Sequence, residues 1–158
     1  MPKILIAYFS VTNNTKGMAE LIAQGAKETG CDTIIKPVDD VSVDELLEYD
    51  GIILGSPTYY GGPAYQIRKL IDESVRIHGK LAGKVGGAFT SSANIGGGNE
   101  TTIVNILTAL MVHGMVVIGS STGDHYGPVS IGCVDKRSKE ISVEYGYKVA
   151  TLTKKLFP

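Results

Sequence analysis

Three polar loops, each directly after an apolar run, carry the residue types in this chain best suited to chemistry. The first, Ser10-Val11-Thr12-Asn13-Asn14-Thr15, offers three hydroxyls and two side-chain amides ahead of a helical pattern. A helix N-terminus presents free N–H groups and a partial positive charge, so such a loop is a phosphate cradle in principle. A polar turn capped by Thr15 or a neighbour would use the same residues. The GK[ST] ending of a Walker loop is missing, and so are the glycines of a GxGxxG turn.

The second loop, Pro57-Thr58-Tyr59-Tyr60-Gly61-Gly62, sets two adjacent tyrosines beside two glycines. The rings could flank a flat aromatic ligand, and glycine lets backbone come close to it. A sharp surface turn is the alternative. The third, Ser91-Ser92-Ala93-Asn94-Ile95-Gly96-Gly97-Gly98, is followed by Asn99-Glu100. Three consecutive glycines cost about 1 kcal/mol each relative to alanine in an ordered element, a cost that a close backbone approach would explain. A flexible loop is again the alternative. Together, a phosphate cradle, an aromatic clamp and a glycine-rich wall suit a mononucleotide with a flat ring.

The elements that must position these loops are read from periodicity. Ile4 to Phe9 is an unbroken apolar run, as in a strand buried on both faces. Further strands are expected at Thr33 to Val38, Gly51 to Gly55, Lys84 to Thr90 and Met115 to Ile118, with an extension at Val129-Ser130-Ile131. Helical spacing links Met18, Leu21, Ile22, Gly25 and Ala26, and then Ala64, Ile67, Leu70, Ile71 and Val75. It recurs at Ile103, Ile106, Leu107, Leu110 and Met111, and at Ile141, Tyr145, Val149, Leu152 and Leu156. A short acidic helix is expected from Val43 to Tyr49, capped by Ser42. The alternation predicts a parallel sheet covered by helices on both faces. Five strands fit the flavodoxin-like order 2-1-3-4-5, a three-layer α/β sandwich, in a single domain over residues 1–158. In such sheets ligands bind beyond the carboxyl ends of the strands, near the switch point between strands one and three. The three loops fall at that edge.

Composition removes several classes. The chain has 20 glycines in 158 residues, nearly twice the usual share of about 7%, without the period of three that collagen needs. Lys and Arg number 15 against 16 Asp and Glu, and no basic run is dense enough to ask for nucleic acid. No apolar run approaches the ~20 residues of a membrane span, and the N-terminus lacks a signal-peptide pattern. Two cysteines, Cys31 and Cys133, without a CxxC pair fit a reduced cytoplasmic protein and supply no iron–sulfur or other metal cluster. A signalling receiver would need acidic residues where Tyr8-Phe9-Ser10 and Gly55-Ser56-Pro57 stand, and a low-molecular-weight phosphatase would need a cysteine in the first loop.

The residues resemble a family. Ser10-x-Thr12-x-x-Thr15 is similar to the phosphate loop of flavodoxins. Gly55-Ser56-Pro57-Thr58-Tyr59-Tyr60-Gly61 and the run from Ser91-Ser92 through Gly96-Gly97-Gly98-Asn99-Glu100-Thr101-Thr102-Ile103 look more like the WrbA-type NAD(P)H:quinone oxidoreductases, as do His113-Gly114-Met115 and Tyr126-Gly127-Pro128. The resemblance implies a flavodoxin-like fold and non-covalent FMN. By it, Ser10, Thr12, Asn13, Asn14 and Thr15 hold the FMN phosphate. Pro57, Thr58, Tyr59, Tyr60, Gly61 and Gly62 line one side of the flavin ring. Ser91, Ser92, Ala93, Asn94, Gly96 and Gly97 line the other side and the polar edge. Asn13 stands where these loops commonly have glycine, and asparagine tolerates left-handed backbone. Val112-His113 replaces a frequent histidine pair, and the segments that build the family's substrate site and oligomer are short here.

Two activities follow. One is electron transfer from NAD(P)H to quinones or similar acceptors, with a homo-oligomer left open. The other is a flavodoxin-type carrier shuttling electrons between redox protein partners. Carriers are usually strongly acidic, which steers them to basic partners. The net charge of −1 opposes that, while Asp39, Asp40, Asp44, Glu45, Glu48 and Asp50, with no Lys or Arg from Pro37 to Ile67, keep it open.

Overall fold

In the computed structural model, which describes Met1–Pro158, the first apolar run forms β1 (Lys3–Tyr8), buried from Ile4 onward. Successive side chains of a strand point to opposite faces. Ile4 and Ile6 therefore enter one core with Met18, Ile22 and Val149, while Leu5 and Ala7 enter the other with Ile67, Ile103 and Leu110. That two-sided burial explains the missing polar alternation. The first core lies under α1 (Asn14–Lys27) and α4 (Lys136–Leu156), the second under α2 (Tyr65–Glu73) and α3 (Asn99–Val112).

The main sheet combines β1 with β2 (Asp32–Pro37), β3 (Gly51–Tyr59), β5 (Val85–Ser92) and β6 (Val116–Val117). All pair in parallel in the order β2-β1-β3-β5-β6, which is the expected 2-1-3-4-5 order of the main strands. The expected count of five is corrected to seven. The segment after Gly55, expected to be a loop, continues as strand to Tyr59 and returns through β4 (Gly62–Pro63). The last strand is broken. β6 pairs with Val85 and Gly86, and after residues 118–128 loop out, β7 (Val129–Ile131) pairs with Thr90, Ser91 and Ser92. In the gap between them the Ala88 N–H donates to the Tyr145 hydroxyl at 3.0 Å, so a helix side chain stands in for the missing strand.

Helices α1 and α4 cross closely. A Cβ on Gly25 would fall 1.9 Å from the Val143 carbonyl oxygen, and one on Gly146 would fall 1.9 Å from that of Ile22. The glycine at each helical spacing thus serves backbone contact. Helix α4 begins earlier than its apolar stripe, at a capping box. The Ser138 N–H donates to Asp135 Oδ1 (2.8 Å) and the Asp135 N–H to Ser138 Oγ (2.9 Å).

Three expectations fail locally. The acidic helix is a 3-10 stretch, Asp44–Glu48. Ser42 Oγ does accept the Glu45 N–H, but the Glu45 carboxylate turns to Lys36 and Tyr49 rather than back to the cap. Val75 is exposed because α2 tightens into a 3-10 turn, Ser74–Ile77, that breaks the 3.6-residue spacing. Met111 and Leu156, in the closing turns of their helices, are also exposed. No helix is long and apolar enough to cross a membrane.

Candidate functional site

The first loop leaves β1 with the Phe9 N–H still bonded to the Gly55 carbonyl (3.0 Å), one residue beyond the strand. The chain then turns through Asn13, which takes a left-handed φ of 67° as the N-cap of α1. Asparagine stands here in place of glycine because its short polar side chain tolerates that region. Asn13, not Thr15, is the cap, and its side chain makes no capping bond. The only local bonds to backbone N–H groups are Lys16 to Ser10 Oγ (3.3 Å) and Gly17 to the Asn13 carbonyl (2.9 Å). The N–H groups of residues 10–15 therefore have no acceptor within the protein. No acidic residue occupies the first turn of α1. Aligned amides, a helix N-terminus and the absence of local negative charge suit a dianionic phosphate.

Thr15 is almost fully buried, and its hydroxyl is hydrogen-bonded to that of Ser91 at 2.8 Å. This bond ties the first loop to the third. The second loop is a two-residue hairpin turn, Tyr60-Gly61, with φ of 50° and 77°. Positive φ at both central residues gives the twist that antiparallel strands favour. Tyr60 is fully exposed and Tyr59 half exposed, so both rings are free to meet a ligand. Below them Thr58 and Thr90 are joined through their hydroxyls at 2.8 Å, and Thr90 Oγ1 donates to the Ser56 carbonyl (2.6 Å). The Ala64 N–H donates to Ser56 Oγ (2.8 Å), which fixes the return of the chain into α2.

The third loop closes against the second. A Cβ on Gly98 would lie 2.5 Å from the Gly61 Cα, and Gly98 has φ of 95° as the N-cap of α3. The close approach expected of the triple glycine is thus, at Gly98, an approach of the protein to itself. Thr101 Oγ1 donates to the carbonyl of Gly61 (2.7 Å) and is within 2.9 Å of that of Gly98, clamping both loops. Ser92 Oγ donates to the Asn94 carbonyl (3.1 Å) and accepts from Asn99 Nδ2 (3.3 Å). The N–H groups of residues 93–96 find no acceptor in the protein, a second set of unpaired donors in a loop at the same edge of the sheet. Such donors suit the carbonyl and nitrogen edge of a flat heterocycle.

The three predicted segments thus converge, although Pro57, Thr58 and Tyr59 belong to β3, Gly62 to β4, Ser91 and Ser92 to the end of β5, and Asn14 and Thr15 to the first turn of α1. Sequence reasoning missed Thr90 and Thr101, the threonines that lock the loops together. Thr101 stood within the quoted motif, but nothing local signalled a partner 40 residues away. His113 is placed elsewhere, at the end of α3. Its Nε2 meets Ser74 Oγ (2.7 Å), its Nδ1 is buried without a partner, and its ring is 5.9 Å from that of His78. Burial, and then the neighbouring His78 charge, hold its pKa below the ordinary histidine value. The cysteines are free, Cys31 buried and Cys133 exposed.

This geometry has known counterparts. A relative from Archaeoglobus fulgidus named NAD(P)H dehydrogenase (quinone) is 31% identical, covering 99% of this chain and all of that protein. A protein from Aquifex aeolicus named flavodoxin is 38% identical, covering 89% of this chain and 79% of its own length. Among solved structures, a WrbA-like flavodoxin from Agrobacterium tumefaciens superposes with a TM-score of 0.84 at 29% identity, covering 98% of this chain and 99% of that one. A flavodoxin from the domain Archaea gives 0.80 at 26% identity, covering 96% and 99%. The flavodoxin family model matches residues 6–144, from within β1 through all three loops into the first half of α4, and the chain belongs to the flavodoxin family.

Proposed function

We propose that this protein is an FMN-dependent oxidoreductase that takes electrons from NAD(P)H and passes them to quinones or similar acceptors. The unpaired amides of residues 10–15, at the N-terminus of α1, carry this reading. They bind the FMN phosphate together with the hydroxyls of Ser10 and Thr12 and the side-chain amides of Asn13 and Asn14. Thr15 acts differently from its neighbours, by holding Ser91 and so the third loop in place. Pro57, Thr58, Tyr59, Tyr60, Gly61 and Gly62 lie along one face of the ring. Ser91, Ser92, Ala93, Asn94, Gly96 and Gly97 lie along the other, with the free amides of residues 93–96 donating to its polar edge. When bound, FMN would supply the hydride and electron transfer that the side chains of this fold cannot. The protein orients it, leaves one aspect open at the exposed Tyr59 and Tyr60, and keeps the loops rigid through Thr58, Thr90 and Thr101.

The enzyme reading is favoured over a carrier by the fate of the acidic segment. Glu45 is paired with Lys36 and Asp44 with Arg76, and Asp50 accepts the Lys3 N–H. Two of its six carboxylates are thereby paired within the fold, which weakens the negative face it offers a basic partner. Two free cysteines support a place in a reducing cytoplasm. Under anaerobic conditions NADH or NADPH is expected to bleach the FMN-loaded protein, and a benzoquinone to restore its colour. Flavin that stays oxidised with both nicotinamides, yet is reduced by a reductase protein, would establish the carrier instead.

A further inference from the structure

A cavity of about 290 Å³ lies between the third loop and residues 123–127, and the first and second loops contribute nothing to it. Its apolar part is formed by Ile103, Val129 and Ile131, the first two buried. Its polar part is formed by Asn99, Glu100, Asp124, His125, Tyr126 and Arg137. We propose that this cavity binds a small neutral aromatic molecule carrying a hydroxyl group.

The donors and acceptors decide the ligand class. His125 Nδ1 lies 2.8 Å from the Ser120 carbonyl. A carbonyl only accepts, so Nδ1 carries the proton, and Nε2 is the nitrogen left to accept from a ligand hydroxyl. Glu100 uses its backbone N–H on Asn99 Oδ1, and its carboxylate is acceptor-only. Arg137 is the one basic side chain on the wall, and it is already engaged. Its Nη1 contacts both Asp124 oxygens (3.0 and 3.1 Å), and Nη2 donates to the Val129 carbonyl (2.6 Å). The cavity therefore presents acceptors and net negative charge above an apolar floor. Hydroxyl donors are matched, whereas carboxylates and phosphates are repelled. The volume is at the lower end of small-molecule pockets and suits one or two rings.

The cavity is also preformed. Asp124 Oδ2 accepts the Val129 N–H (2.8 Å), so the Asp124–Arg137 pair fastens the loop to both β7 and α4. A rigid pocket loses little ordering entropy on binding. Ile95 of the third loop belongs to the wall of this cavity, as does Asn99 at the start of α3, so the occupant touches the segment proposed to edge the flavin. The binding itself does not depend on FMN.

The test is a titration of isotope-labelled protein with 2-naphthol, with and without FMN, followed by methyl NMR. The resonances of Ile103, Val129 and Ile131 should shift saturably in both forms. 2-Methoxynaphthalene, which lacks the donor, and naphthalene-2-sulfonate, which is anionic, should bind about tenfold more weakly, the loss expected for one hydrogen bond to a charged group. Glu100→Gln and His125→Phe, both at the surface, should each weaken 2-naphthol several-fold, about the worth of one hydrogen bond. Unmoved methyls, equal affinity for the methoxy compound, or indifference to both substitutions would overturn the proposal. Because the FMN-free protein is titrated separately, failure of the flavin reading leaves this result legible.

Discussion

Thr15, in the first turn of α1, and Ser91, near the end of β5, share a buried hydroxyl–hydroxyl hydrogen bond of 2.8 Å across 76 residues of sequence. Buried polar groups left without partners are costly, so this bond holds the phosphate loop and the third loop in register. Ser91→Ala should destabilise the fold by about 1–3 kcal/mol, since it strands the Thr15 hydroxyl. The double variant with Thr15→Val should cost less than the two single losses added together. Urea unfolding of the four proteins measures the coupling, and additive losses would show that the bond is not formed.

Gly98→Ala should separate the second and third loops, because the new methyl would sit 2.5 Å from the Gly61 Cα at a φ of 95°. We expect FMN to bind about tenfold more weakly, with the far-UV circular dichroism unchanged. Gly79→Ala provides the comparison. Gly79 has φ of 80° with open space around it, so the variant carries similar backbone strain and should leave FMN affinity intact. Flavin fluorescence quenching measures both.

Tyr145→Phe should leave the Ala88 N–H without an acceptor, at a cost of about 1–3 kcal/mol. The pH dependence follows from the phenol. Burial pushes its pKa from 10.0 up to about 12, with the Ala88 hydrogen bond opposing the shift. A raised folded-state pKa gives stability that is fully present below the unfolded value and is lost as pH rises through the folded one. Stability should therefore fall between about pH 10 and 12, and Tyr145→Phe should fall less over that window. Tyr49, whose pKa is raised by burial and by Glu45, adds a decline common to both proteins. Urea midpoints at pH 9 and pH 11 test the difference.

The parts of this architecture that are legible in sequence are those with a strong local signature. Ile4 to Phe9 and Ile52 to Leu54 reveal strands buried on both faces, and the triple glycine marks a loop whose last member, Gly98, closes on the backbone of Gly61. The hairpin at Tyr60-Gly61 was hidden because Pro57 and two glycines imitate a loop, although the strand register carries on past Pro57 opposite Ser91. The broken last strand was hidden because β6 has only two residues, and its continuation joins β5 after a long excursion. Thr90 and Thr101 escaped notice for a different reason. Their hydroxyls act on carbonyls 34 and 40 residues away, and only the folded topology brings those within reach. The acidic segment is the opposite case, since in sequence nothing shows that Lys36 and Arg76 pair with Glu45 and Asp44.

We propose that the unpaired amides at the start of α1 hold the phosphate of FMN. The most direct measurement of this is a parallel titration of the protein with FMN and with riboflavin, which has the same ring and no phosphate. The account predicts saturable FMN binding and an affinity for riboflavin weaker by about a hundredfold, the loss expected when several charge-assisted hydrogen bonds at a helix N-terminus are removed. Equal affinity for the two flavins, or no binding of FMN, would contradict it.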